Sequence, residues 1–166
     1  MKLESMSSNI VNLMTTLAKN EGLARLLTYD VPNPFENNLP APDWRELVKP
    51  NGSKAKIFPY PFSPEATTDD GSFIRVYYNQ GEFNGNEVIA DSDINFDIIV
   101  AKGLWTIDDG ERSLLRPYEM LGRVVDLVGR NGIGRTRLKA EGFQFMYINT
   151  KFDAIRLYTK YMSVET

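Results

Sequence analysis

Eight of the nine prolines lie between Val31 and Pro64, at positions 32, 34, 40, 42, 50, 59, 61 and 64. Each one removes a backbone donor and biases the residue before it toward extended geometry, so this stretch cannot supply the centre of a sheet. It is not a plain linker either. Phe35, Leu39, Trp44, Leu47, Ile57, Phe58, Tyr60 and Phe62 interrupt it, and aromatic side chains on an extended arm need a surface to pack on. That surface is either the chain's own body or a neighbouring subunit, and the residues leave both open. Asp43 to Val48 suits a single helical turn within the arm.

The fold must therefore be built from the flanks. Ahead of the arm, Ser7 or Ser8 can cap a helix whose stripe is Ile10, Leu13, Met14 and Leu17. Asn20 and Gly22 weaken it before Leu23, Leu26 and Leu27, which leaves one imperfect helix or two helices with a bend. Behind the arm, Phe73 to Tyr78 is β-rich, and Asn79 to Glu87 reads as a long hairpin loop. Ile94, Phe96, Ile98 and Val100 then alternate with Asp91, Asp93, Asn95 and Asp97, which predicts a strand buried on one face. Trp105 and Ile107 extend that strand, and a turn closes at Asp108 to Gly110. Pro117 and Glu119 open a helix with the stripe Tyr118, Leu121, Val124, Val125 and Val128, stopped by Asn131 and Gly132. Two terminal strands follow, Phe143 to Ile148 and Ile155 to Met162. The order predicts one α+β domain over residues 1–166. An N-terminal helical region (1–30) and an extended arm (31–70) precede a β-β-α-β-β core (71–166), an antiparallel four-stranded sheet packed by one main helix.

The chain contains no Cys and no His. That excludes thiol nucleophiles, disulfides, imidazole bases and nearly all zinc chemistry. A net charge of −3 argues against a freestanding nucleic-acid binder, which carries a basic excess. No apolar run approaches a membrane span, and the first residues lack a secretory pattern. A protein made in the cytosol, or carried in a particle assembled there, is expected, with no catalytic group, cofactor, metal or membrane contact.

The candidate sites have ordinary explanations. Asp91, Asp93, Asn95 and Asp97 echo the first positions of a calcium loop, but Phe96 stands where that loop needs Gly and Lys102 where it needs Glu. These carboxylates read as the polar face of a strand. A Mg²⁺-dependent enzyme using Asp91, Asp93 and Asp97 is a distant alternative. The glycines at 129, 132 and 134 match no phosphate loop and read as a helix stop with a turn. Arg130, Arg135, Arg137 and Lys139 form a basic run, either solvated surface or a patch facing a subunit or DNA. Trp105 reads as core. Arg116 is a surface charge or an interface anchor.

The order and spacing of several segments resembles a family of neck and tail-terminator proteins of long-tailed bacteriophages. The resemblance starts at Asn20 to Tyr29, followed by Val31 to Pro34. It continues through Ile57 and Pro59, Phe73 to Val76, Ile94 to Val100 and Trp105. Its most telling piece is Leu115 to Gly122, which opens the helix ahead of two terminal strands.

The resemblance implies a virion protein of α+β fold that forms a hexameric ring, ends the tail tube and joins it to the head-side connector, with DNA passing through without sequence recognition. A head-closure or adaptor protein of the same neck is the alternative. In such a ring Phe35, Trp44, Phe58, Tyr60, Phe62 and Arg116 are candidate inter-subunit contacts, and Asp91, Asp93 and Asp97 a candidate lumen-facing surface that repels phosphates. Removing Pro32 to Pro64 would then impair assembly more than folding, and Arg116→Ala would lower ring yield without changing the melting temperature.

Overall fold

β3 (Ile89–Ala101) runs through the middle of the sheet, between β2 (Ser72–Phe83) and β9 (Phe152–Met162). Both pairings are antiparallel, and β8 (Lys139–Tyr147) pairs antiparallel with β9 to form one edge. A fifth strand comes from within the proline-rich arm: β1 (Ile57–Phe58) lies parallel to β2 and sets Ile57 opposite Ile74. The sheet is therefore mixed and five-stranded, in the order β1-β2-β3-β9-β8, where the sequence predicts four antiparallel strands. β1 is short because Pro59 and Pro61 follow it, and proline is tolerated only at such an edge. The computed structural model describes residues 2–66, 69–86, 88–130, 132–133 and 136–162, with backbone alone at 90, 132–133, 136–137 and 162.

One sheet face is covered by helices. α1 (Met6–Lys19) buries the expected stripe of Ile10, Leu13, Met14 and Leu17. Asn20 then leaves helical geometry, and its Oδ1 accepts the Leu23 N–H at 2.9 Å, so α2 (Glu21–Thr28) is a separate helix with its own cap. α3 (Trp44–Val48) is the expected single turn, capped by Asp43. α4 (Arg116–Arg130) buries Met120, Leu121, Val124 and Val128. Tyr118 and Val125, expected in that stripe, face outward. The helices close over Ile74, Val76, Ile94, Phe96, Ile98, Val100, Ile155 and Leu157 in one core.

Three local features differ from expectation for identifiable reasons. β2 continues through Asn79 to Phe83 because a bulge between Tyr78 and Gln80 absorbs one residue without ending the ladder. The loop shrinks accordingly, and Asn84 holds it by accepting the Asn86 and Val88 N–H groups. Beyond β3, a 3₁₀ turn at Lys102–Leu104 breaks the chain direction. Ile107 therefore belongs to a separate hairpin of β4 (Thr106–Asp108) and β5 (Ser113–Leu115), turned at Gly110 with φ of 90°. After α4, β6 (Gly132–Ile133) pairs antiparallel with β7 (Thr136–Arg137). The expected helix stop at Asn131 lies outside the described residues.

Arg116 is not a surface charge. Its side chain is 1% exposed. Nε donates to the Leu104 carbonyl at 2.8 Å, Nη1 to Leu26 at 2.6 Å and Nη2 to Val31 at 3.1 Å. Its backbone N–H donates to the Trp105 carbonyl at 2.7 Å. One guanidinium thus ties the end of α2, the start of the arm and the turn before β4 to the start of α4. Burial lowers the Arg116 pKa, and Asp30 pulls the other way by stabilising the charge. A side chain so enclosed presents no surface to a neighbour, which counts against its assignment as an inter-subunit contact.

Arg116→Ala should strand three carbonyls and cost about 3 kcal/mol, lowering the melting temperature by roughly 6–12 °C on calorimetry. Arg116→Lys should restore little, since an ammonium cannot span a three-way fork.

Candidate functional site

The second face of the sheet is where the sequence places its acidic residues, and the arm closes part of it. Phe58, Tyr60 and Phe62 converge on Arg75, whose guanidinium carbon lies 3.9, 5.2 and 5.4 Å from their ring centres. Among the described residues Arg75 Nε has no hydrogen-bond partner, and the aromatic faces supply the compensating attraction. Burial lowers the Arg75 pKa, opposed by Tyr60. Phe62 also meets Phe152 and Phe73, with centroids at 5.3 and 5.9 Å. Together with Ile99, Ala101 and Ala154 these rings form a second, smaller core.

The arm therefore packs on its own chain. Phe62 packs against the second core, and Phe58 lies beside it against Arg75 and Phe73. Phe35 packs on the main core beneath Arg123, and Trp44 does so between Lys19 and Arg45. These four candidates are half-buried against their own subunit, and of the five arm aromatics only Tyr60 is exposed. Removing Pro32 to Pro64 would delete α3, β1, Phe62 of the second core and Leu47 and Ile57 of the main core, so such a truncation should impair folding as well as assembly.

The acidic residues divide along β3. Asp97 is only 4% exposed. Its carboxylate accepts from Arg156 Nε at 2.8 Å, Arg156 Nη2 at 3.1 Å and Tyr77 Oη at 2.6 Å. The carboxylate holds Arg156 well above the usual arginine range, and burial with the Asp97 bond raises Tyr77. Asn95 is buried beside this network. β3 is thus buried on both faces from Ile94 onward, because side chains from β2, β9 and the arm roof over the polar side. Asp97 cannot face a lumen or bind a cation without breaking this network. Asp91 and Asp93 are half-buried near the open end, where Gln80 Nε2 donates to Asp93 at 2.9 Å. Among the described residues no group of three or more Asp, Glu, His or Cys sits together to hold a metal ion.

The basic run is dispersed. Arg130 pairs with Asp126 across one helical turn at 3.2 Å. Lys139 stands exposed at the start of β8. Arg135 lies outside the described residues, and of Arg137 only the backbone is described, in β7.

An uncovered aromatic surface lies at the β8 edge. Phe143, Phe145 and Tyr147 are 62, 52 and 66% exposed. Their register opposite Leu157, Ile155 and Asp153 places them on the helix-covered side of the sheet, beyond the helices. Phe145 touches the edge of Trp105, with centroids 6.3 Å apart, and Lys102 lies over the Tyr147 ring. The half-buried Trp105 is core as expected, and it is also the floor of this aromatic row. Only the period-two spacing of the three rings marks them in the sequence. That spacing reads equally as a buried face until the strand order puts β8 at an edge. An edge strand of nine residues with unpaired backbone groups is a template for another chain, and clustered aromatics are the usual anchors of an interface.

Asp97→Ala should cost about 2–3 kcal/mol in urea denaturation by leaving Arg156 and Tyr77 unpaired. Pairing Asp97→Leu with Arg156→Met should recover part of the loss. Phe62→Ala should cost about 2 kcal/mol through the cavity left against Phe152.

Among the described residues no helix is long and apolar enough to cross a membrane. No curated protein matches the chain. A family model described as YomW matches residues 20–161, from the cap of α2 into β9 at Tyr161. The chain belongs to this phage-related YomW family.

Proposed function

We propose that the protein is a non-enzymatic structural subunit of a phage neck. In this reading it assembles into a ring that ends the tail tube and joins it to the head connector. The observation that supports this most is the β8 edge, with Phe143, Phe145 and Tyr147 projecting beyond the helices. Three adjacent exposed rings on an edge strand are a poor surface for a permanent monomer. A ring subunit uses such a surface in a head-to-tail contact.

Two further observations agree with a structural role. The buried charged groups, Arg116, Arg75 and Asp97, are taken up by partners of the fold itself. The partly exposed carboxylates Asp91 and Asp93 lie together with Glu82 at one end of the sheet, where a lumen-facing position would repel passing DNA.

Native mass spectrometry and electron microscopy of the full chain, alone and with the phage's tail tube protein, test the ring directly. A closed oligomer, six-fold on the tail-terminator reading, is expected. Phe143→Glu should abolish it while leaving the melting temperature nearly unchanged, because that side chain is largely in solvent. A protein that stays monomeric in both settings would refute the reading.

A further inference from the structure

Given that ring reading, we infer that the contact between copies joins β8 of one subunit to the free edge of β2 in the next, with Lys139 set against Glu82. The topology allows this directly. β2, β3, β9 and β8 alternate in direction across the sheet, so a second copy's β2 placed beside β8 continues the antiparallel ladder. β1 pairs with β2 only at Ile74 and Arg75. The outer side of β2 from Tyr77 to Phe83 has no strand neighbour among the described residues.

Charge selects this pairing over the alternatives. At the open end of the sheet, Lys139 and Lys160 stand on the β8 side, while Asp91, Asp93 and Glu82 stand on the β2 side. Among the described residues, neither Lys139 nor Glu82 forms an ion pair within the chain. A head-to-tail neighbour brings these opposite ends together. Two β8 strands paired with each other would set Lys139 against the Tyr147 end and gain nothing from charge.

Register and shape fit the same contact. Level rows run from Lys139 through Lys160 and Asp93 to Gln80, and from Phe143 through Leu157 and Phe96 to Val76. A stagger of about two residues, of the kind that sheet closure requires, sets Lys139 opposite Glu82 and Phe143 opposite Tyr78. At Tyr78 a groove of about 210 Å³ runs along the β2 edge, lined by Met6, Tyr78, Gly81, Phe83 and Ile89. Phe143 of the incoming β8 meets this groove on the helix-covered face, the charged pair meets on the other, and the new ladder stops short of Arg75 and Ile74, where β1 is already paired.

The absence of native cysteine makes the test clean. Full-length Lys139→Cys and Glu82→Cys variants are mixed and oxidised, and wild-type protein is examined in parallel by native mass spectrometry. A disulfide dimer should form in the mixture and in neither variant alone, about ten times faster than with a Lys54→Cys control in place of Glu82→Cys. Lys139→Glu should dissolve the ring, and adding Glu82→Lys should restore it. A dimer from Lys139→Cys alone, or a ring with no mixed disulfide, overturns this contact while the ring reading survives. A wild-type chain that forms no ring, alone or with the tail tube protein, overturns both.

Discussion

Arg116 carries a full charge to the place where four segments meet, and the helical layer depends on how that charge is satisfied. Taking a guanidinium out of water costs several kcal/mol unless its donors are paired. Here they are paired with three backbone carbonyls from α2, the first residue of the arm and the turn before β4. Carbonyls at a helix end and in irregular chain otherwise lack partners, so the two needs answer each other. The arm leaves α2 at this point, which fixes where Pro32 and the residues beyond it can go. Asp30 sits beside the clamp with its carboxyl pushed up by burial, against the pull of Lys56 and Arg116.

From that origin the arm wraps to the opposite side of the sheet. Its prolines keep it out of the ladder except for β1, and its aromatics make it a lid. The lid explains the crowded polar face of β3. Arg75 is held by three rings, and Asp97 by Arg156 and Tyr77. Charges are tolerated there because each meets a geometrically matched partner at short range. The layer order is helices, sheet, arm, and the functional consequence lies in what this wrapping leaves uncovered. Helices and arm protect β3 and β9 on both faces, while β8 keeps an open edge and an exposed aromatic row.

Much of the fold was legible in the sequence because it depends on local periodicity. The stripe of α1, the weak point at Asn20, the single turn at Asp43 to Val48, the alternation along β3, the start of α4 and both terminal strands all follow from spacing and residue type. The exclusion of thiol and imidazole chemistry needed only the absence of Cys and His. The proline-rich arm was correctly excluded from the sheet centre, since a missing donor is a property of the residue itself.

Tertiary structure decided everything that depends on which surfaces meet. Alternation shows that β3 has two kinds of face, but not that Asp97 finds Arg156 across a neighbouring strand, 59 residues away in the chain. A lone Arg before a helix looks like solvent-facing charge until α2 and the arm, 90 and 85 residues distant, present carbonyls to it. Phe143, Phe145 and Tyr147 have the spacing of a buried face, and only the strand order makes them the exposed edge. Spacing along the chain fixes which residues share a side. Burial and partnership come from contacts between segments far apart in sequence, and so they had to be read from the assembled fold.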